Sequence, residues 1–423
     1  MSDLSSGMRL LGIDIARTLA IVGMLAVHLV PGVRAGAPTW SATVAGGRSA
    51  ALFAVLAGVG LTLSARSFRR GRAAAQDSRL RAAVTASVLV RAALVGVLGL
   101  TLTALPSGLA VILPSYALLF VLAVPLLSVP TRWLVVLAVL AATATPVLSQ
   151  LVREVVPPRS GEQPTVLWLA RPVDLLVDLG ITGYYPALTW STYLIAGLIV
   201  GRLPLHAART ARLLVGAGAV LAVLGSTGSA LLLGPAGGLA ALGRSVAASG
   251  GDPAGLALRL TQTSYGTTPT DSWWWLAVRT QHSGTSFDLL HTTGTALVAI
   301  GGCLLVARAV GGVAGRTGTV LAAAAAAAAA PGTMPLTVYT LQVLALAAGL
   351  RAGVAGTGSS LASSPVAVWL LYVGVTVAAA SVWRSVVGQG PLEALVAGPA
   401  AAVRDAVGAI DGPGASRSPT PPG

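Results

Sequence analysis

Three of the four histidines fall where ionisable side chains could carry out proton transfer. His28 lies in the run GMLAVHLVPG, and His282, Asp288 and His291 lie in the run HSGTSFDLLH. Asp288 and His291 are three residues apart, which places them on one face of a helix. Imidazole is the usual general base near neutral pH, and a neighbouring carboxylate can fix its tautomer. These residues predict a catalytic cluster, in which Arg48 would stabilise negative charge or hold an anionic group.

Two simpler interpretations of the histidines compete with this one. A histidine at the end of an apolar helix is often an interfacial residue bonded to a carbonyl group. Two histidines and one aspartate are also possible zinc ligands. The sequence lacks the compact HxxxH or HExxH spacing, and base chemistry is therefore favoured over a metal site.

A second pair of charged residues interrupts the first apolar stretch. Asp14 and Arg17 are three residues apart in GIDIART, so on a helix they lie close enough to form an ion pair. Ionisable groups at the edge of an apolar helix are costly to bury. We therefore expect this pair to shape the mouth of a cavity.

Aromatic residues gather in the run GYYPALTW. Tyr184, Tyr185 and Trp190 have the character of membrane-interface anchors. Aromatic rings are equally typical of sugar-binding sites, and the sequence leaves both interpretations open.

The composition predicts the membrane-spanning helices that must position these residues. Of 423 residues, 55% are hydrophobic and 9% are charged, whereas soluble domains carry roughly 25% charged residues. At about 20 apolar residues per membrane span, the chain has enough hydrophobic residues for about ten spans. Ten apolar stretches can be drawn, at 11–30, 46–65, 88–106, 110–128, 132–149, 184–201, 210–233, 287–307, 333–350 and 365–383. The sequence predicts an all-α, polytopic membrane protein.

The basic charge is mainly a signal of topology. The net charge is +14, and all 27 basic residues are arginines. Two thirds of them fall in the segments that share a side with the amino terminus, which the positive-inside rule places in the cytoplasm. We therefore expect a multi-pass cell-membrane protein with both termini cytoplasmic, and no nucleic-acid partner.

The chain is predicted to form one transmembrane domain over 1–398. Residues 399–423 are rich in Pro, Gly and Ser and predict a disordered cytoplasmic tail. The run of alanines at 322–330 precedes Pro331 and predicts a short helix rather than an eleventh span.

Several runs together resemble a known enzyme family. RLLGIDIARTLAIVGMLAVH, GRSAALFAVLAGVGL, GYYPALTWSTYLIAGLIVGRL, SWWWLAV, HSGTSFDLLHTTG and MPLTVYTLQV are similar to bacterial transmembrane proteins related to heparan-alpha-glucosaminide N-acetyltransferase. The GPLE run at 390–393 resembles the C-terminal mark of a related multi-span family. The resemblance covers most of the chain.

The resemblance implies a membrane acyltransferase. Members pass an acyl group from cytosolic acyl-CoA, here acetyl-CoA by expectation, to an amine or hydroxyl, often of a sugar, on the far side. Acyl-CoA phosphates would then contact arginines on the inner face, with Asp14, Arg17, Arg91 and Arg202 as the candidate donor site. No metal is expected, the acceptor would be a carbohydrate of the cell envelope, and a homo-oligomer is left open.

The chain departs from the family pattern at two places. In the lysosomal relatives the key histidine lies between the first two spans, whereas residues 31–47 contain no histidine here. The DxxRG opening is altered to Asp14, Arg17 and Thr18. The base is therefore sought among His28, His282 and His291. A multi-span transporter or flippase is the alternative function, and a non-catalytic scaffold is a third.

Overall fold

The computed structural model describes residues 10–70, 77–156, 161–349 and 364–409. This part of the chain is predominantly helical, which confirms the predicted all-α polytopic class. Its β structure is limited to a hairpin of two-residue strands, β1 (Val33–Arg34) and β2 (Ala37–Pro38).

Fifteen α-helices follow one another in the described ranges, joined by short 3₁₀ and π segments. They are α1 (Leu11–Leu29), α2 (Arg48–Arg70), α3 (Asp77–Leu102), α4 (Leu113–Leu126), α5 (Thr131–Val152), α6 (Pro172–Val177), α7 (Ala187–Gly201), α8 (Ala208–Leu233), α9 (Gly238–Ala248), α10 (Leu256–Arg259), α11 (Ser286–Gly311), α12 (Gly315–Thr333), α13 (Pro335–Ala347), α14 (Pro365–Val386) and α15 (Pro391–Ala409).

Each of the ten predicted apolar stretches overlaps one of these helices, but fewer of the helices are long enough to cross a membrane. In the described ranges seven helices are long and apolar enough to cross a membrane, or eight if α12 and α13 form one bent span. Helices α4 and α7 are apolar but shorter, with 14 and 15 residues. At 1.5 Å per residue, each falls short of the roughly 30 Å of a hydrocarbon core. By length and apolar composition, the described ranges therefore hold fewer membrane-crossing helices than the predicted ten spans.

The helices pack closely where glycines face a neighbouring backbone. Gly218 of α8 lies against the carbonyl of Gly294 in α11, where an added Cβ would come within 2.5 Å of the oxygen. At a second crossing, Gly58 of α2 faces Gly197 of α7. Small residues at such crossings let helix backbones approach closely in a membrane.

A sharp break separates α12 from α13. The two helices differ in direction by 72°, and Gly332 at the break lies against the backbone of Asp14 and donates its N–H to the Thr18 hydroxyl over 2.9 Å. The alanine run is the middle of a 19-residue helix, so the predicted short helix is longer than expected.

Helix α15 extends the ordered structure beyond the predicted domain boundary. It packs against α3 and ends at Ala409. Residues 399–409 are therefore helical, although the sequence placed them in a disordered tail, and 410–423 lie outside the described residues.

Helix α1 defines two ends of the bundle. Arg17 and His28 are eleven residues apart on it, which corresponds to about 16 Å along the helix axis at 1.5 Å per residue. We call the two ends the arginine end and the histidine end. Gly12 of α1 packs against Cys303 and Leu304 of α11, and the antiparallel course of α11 brings His291 to the histidine end.

Candidate active site

His28 and His282 line one cavity at the histidine end. This histidine cavity has a volume of about 470 Å³ and is also lined by Tyr184, Tyr185 and Gln281. The two histidines come from α1 and from the loop before α11, more than 250 residues apart in the chain. The structure thus brings together two of the three predicted histidines.

His282 is held by aromatic packing and by an unusual backbone conformation. Its ring stacks on Trp190 with centroids 6.0 Å apart and planes 6° apart, and Tyr185 meets it edge-on at 5.6 Å. Its φ of 55° is in the left-handed region, which non-glycine residues seldom adopt and which is concentrated at functional sites. Burial lowers the pKa of His282 from 6.5 to about 4, because the charged imidazolium loses hydration. His282 is therefore neutral at physiological pH.

His28 is engaged by a residue that the sequence analysis missed. The side-chain amide nitrogen of Gln342, on α13, lies 3.0 Å from His28 Nδ1. Gln342 is 2% exposed, so a buried amide fixes the orientation of the partly buried His28 ring. A glutamine inside the apolar run PLTVYTLQV was the available signal.

His291 and Arg48 lie next to the histidine cavity, in a side cavity of about 360 Å³. Asp288, Arg279 and Gln281 line it too, and Gln281 also lines the histidine cavity. Arg48 Nε donates to His291 Nε2 over 3.1 Å. Arg279 is a second cation that the sequence analysis did not single out.

Both ring nitrogens of His291 have partners. Nε2 accepts from Arg48, and Nδ1 lies 2.8 Å from Ser226 Oγ and 3.1 Å from the Ala222 carbonyl. The basic nitrogen thus faces a guanidinium group. This arrangement favours a role for His291 in positioning Arg48 over a role as proton acceptor.

Asp288 has a different role from the one expected. Its Oδ2 accepts the backbone N–H of Gly284 over 3.1 Å, and its own N–H is capped by the Thr285 hydroxyl. Among the described residues no hydrogen bond joins this carboxylate to an imidazole. Asp288 shapes the turn that leads from His282 into α11, and the predicted imidazole-orienting role is corrected accordingly.

Of the three predicted aromatic residues, two face the histidine cavity. Tyr184 and Tyr185 line it, and the Tyr185 hydroxyl donates to the Ala110 carbonyl over 3.1 Å. Trp190 is 2% exposed and lies behind His282. It supports the imidazole rather than facing the cavity.

Arg17 and Arg91 line a separate cavity of about 370 Å³, the arginine cavity, together with Glu393 and many apolar side chains. Asp14 forms the predicted ion pair with Arg17 at 2.8 Å. Glu393 accepts the N–H groups of Leu336 and Thr337 at 2.6 and 3.2 Å. The acidic residue of the GPLE run therefore caps α13 at the break.

Arg202 lies away from the arginine cavity. Its guanidinium group donates to the carbonyls of Leu126, Leu127 and Val129. These carbonyls end α4, so Arg202 fastens the α4–α5 turn to α7. The structure does not place it with Arg17 and Arg91 as a donor-site residue.

A family model decides the classification of the chain. The model described as heparan-alpha-glucosaminide N-acetyltransferase, catalytic, matches residues 9–233, just over half of the sequence. The chain belongs to this family. No match was found among curated proteins or among solved structures.

The match to heparan-alpha-glucosaminide N-acetyltransferase includes some residues of the candidate site and leaves out others. The matched residues include Arg17, His28, Arg48 and Arg91, whereas His282 lies beyond residue 233. The family is one of membrane acetyltransferases, whose donor is acetyl-CoA. In the described part of the chain no three His, Cys, Asp or Glu side chains form a group that could hold a metal ion.

Proposed function

We propose that the protein is an integral membrane acetyltransferase that moves an acetyl group from cytosolic acetyl-CoA to an amine or hydroxyl of a cell-envelope sugar. The observation that carries this proposal is the pair of cavities at opposite ends of α1. One is lined by Arg17 and Arg91 and the other by His28 and His282. A donor bound at one end and an acceptor bound at the other would meet within the bundle.

The arginine cavity has the chemistry of a thioester donor site. Guanidinium groups bind phosphate in bidentate fashion, and Asp14 fixes the position of Arg17 through their 2.8 Å contact. The apolar walls from Phe53, Leu56 and Phe120 suit a pantetheine arm and its acyl group. The phosphates would lie toward Arg17 and Arg91.

His282 is the best candidate for the general base. It is neutral at physiological pH, and among the described residues no side chain forms a hydrogen bond with its ring nitrogens. The proton of the acceptor would pass to His282 as the amine or hydroxyl attacks the thioester carbon, the C–S bond would break and the CoA thiolate would leave. His28, whose Nδ1 is engaged by Gln342, is the second candidate.

The residues around the base fit a sugar acceptor. Tyr184 and Tyr185 offer aromatic surface in the histidine cavity. Arg48 and Arg279 line the adjoining side cavity and would hold an anionic group of the acceptor or stabilise charge on the acyl oxygen.

The orientation follows from the arginines. The arginine end is assigned to the cytoplasm by the positive-inside rule, so the histidine cavity would open to the far side of the cell membrane, with both termini cytoplasmic.

Purified protein incubated with labelled acetyl-CoA and a panel of amino and neutral envelope sugars tests the proposal. We expect acetyl transfer to at least one sugar. His282→Ala should lower turnover by about 10²–10⁴-fold, the usual contribution of a positioned base, with acetyl-CoA affinity retained. Arg91→Gln should instead weaken acetyl-CoA affinity.

His206→Ala is the matched control, because His206 is exposed and lines neither cavity; its turnover should equal that of the unaltered protein. If the protein transferred no acetyl group to any sugar of a broad panel and instead carried a solute into vesicles, the result would favour the transporter alternative over the enzyme. The break between α12 and α13 favours that alternative, since broken helices are common in transporters.

A further inference from the structure

A thin wall separates the arginine cavity from the histidine end. Phe53, Leu113 and Tyr116 line the arginine cavity. Ile112 and Tyr339 line a small pocket of about 30 Å³ that also touches His28 and His282. Ile112 and Leu113 are consecutive in the chain, so the wall is about one residue thick at this point.

Three aromatic rings from three helices form this wall. Phe53 of α2 stacks on Tyr116 of α4 with centroids 5.7 Å apart and planes 15° apart. Phe53 also stacks on Tyr339 of α13 at 6.5 Å and 21°. The Tyr339 hydroxyl accepts the Ile112 N–H over 3.2 Å. Side chains from three helices therefore meet between the two spaces.

The hydroxyl of Tyr116 stands out among the buried tyrosines. Those of Tyr185, Tyr193 and Tyr339 have hydrogen-bond partners. Tyr116 is 3% exposed, and its hydroxyl has no partner in the described part of the chain. Buried polar groups are nearly always paired, and an exception calls for an explanation.

We propose that Phe53, Tyr116 and Tyr339 form a gate between the donor and acceptor cavities, and that the Tyr116 hydroxyl donates a hydrogen bond to the acyl carbonyl when the gate opens. This inference rests on the proposed acetyl transfer. It explains why a buried hydroxyl lacks a protein partner: its acceptor arrives with the substrate.

Tyr116 keeps its proton throughout the proposed acyl transfer and remains uncharged. The acceptor nitrogen or oxygen attacks the carbonyl carbon, negative charge develops on the carbonyl oxygen, and the Tyr116 O–H donates to that oxygen while keeping its proton. The C–S bond then breaks, CoA leaves as the thiolate, and the base holds the proton of the acceptor. A fixed donor in an apolar site stabilises such an oxyanion far better than water does.

The first test removes the hydroxyl alone. Tyr116→Phe should lower kcat for acetyl transfer by about 10²-fold, the cost typical of one lost oxyanion donor. Acetyl-CoA affinity and melting temperature should be unchanged, because the hydroxyl has no protein partner to lose. Tyr372→Phe is the matched control: Tyr372 is half-buried on α14 and lines neither cavity, so its kcat should stay the same.

The second test opens the wall. Phe53→Ala should raise acceptor-independent hydrolysis of acetyl-CoA several-fold, because water from the histidine end would reach the thioester. Leu242→Ala is the matched control, because Leu242 is fully buried but lines none of these cavities, and it should hydrolyse acetyl-CoA at the rate of the unaltered protein.

The outcomes separate the two proposals. Full kcat in Tyr116→Phe, or unchanged hydrolysis in Phe53→Ala, in a protein that transfers acetyl groups would overturn the gate alone. An unaltered protein that transfers no acetyl group would overturn the proposed function and the gate with it.

Discussion

At the scale of single residues, the neighbours of each histidine give it a different chemical role. His291 has both ring nitrogens engaged and is bound to Arg48, which favours a positioning role. His28 is held by Gln342. His282 stacks on Trp190 and is the neutral imidazole that we assign as the base.

The depressed pKa of His282 predicts the acid limit of activity. A base must be unprotonated, and His282 binds a proton only as the pH falls through about 4 rather than 6.5. We therefore expect kcat/KM for acetyl transfer to a hydroxyl acceptor, which does not itself titrate in this range, to remain high from pH 7 to about pH 5 and to fall below that. The pH profile of kcat/KM measures this directly, since it reports the pKa of the free enzyme. An acid limb centred near 6.5 would contradict the assignment.

The same shift has a consequence for stability. The unfolded chain binds a proton at this histidine at higher pH than the folded protein does, so the free energy of unfolding should decrease as the pH falls from 6.5 toward 4. His282→Gln removes this contribution and serves as the control. Its melting temperature should depend less on pH over that interval.

At the scale of helices, the site depends on the close approach of α8 and α11. Gly218 and Gly225 of α8 face the backbone of α11, and Gly294 and Gly301 of α11 face the backbone of α8, along one seam. Within each helix the two glycines are seven residues apart. An added Cβ at any of the four would lie within 2.7 Å of a backbone atom of the neighbouring helix. The seam brings Ser226 to within hydrogen-bonding distance of His291.

Substitution in this seam should separate the two helices. Gly294→Val places side-chain atoms against the backbone of Gly218 and Ala222, and overpacking of this kind typically costs about 1–3 kcal/mol. We expect a lower melting temperature in detergent and a loss of acetyl transfer. Gly302→Val is the control on the same helix, since nothing lies within 4 Å of its Cβ position. Equal melting temperatures for the two variants would show that the seam tolerates a side chain.

At the scale of the whole molecule, the cavity lined by Arg17 and Arg91 and the cavity lined by His28 and His282 lie at opposite ends of one bundle. Single cysteines test which end faces the cytoplasm, in a Cys303→Ser background because Cys303 is the only native cysteine. His206→Cys and Ser249→Cys are suitable because both positions are exposed. His206 precedes α8, and Ser249 follows α9, which begins shortly after the other end of α8. In intact cells an impermeant thiol reagent should label Ser249→Cys alone. Labelling of His206→Cys alone would reverse the orientation.

The sequence by itself determined the features that depend on neighbouring residues in the chain. Hydropathy and composition established the all-α membrane class, and each apolar stretch proved helical, because the bilayer admits only backbones that satisfy their own hydrogen bonds. The Asp14–Arg17 pair was predictable for the same local reason: three residues make almost one helical turn.

Only the tertiary structure decided which helices are neighbours. The contacts of His28 with Gln342 and of Arg48 with His291 join residues 314 and 243 positions apart, and no local pattern records such pairings. Arg202 had the same residue type as Arg17 and Arg91, but the carbonyls at the end of α4 bind it. The wall of Phe53, Tyr116 and Tyr339 was likewise invisible in the sequence, because aromatic residues in apolar helices all fit the same hydropathy pattern, and packing alone sets which of them face a cavity.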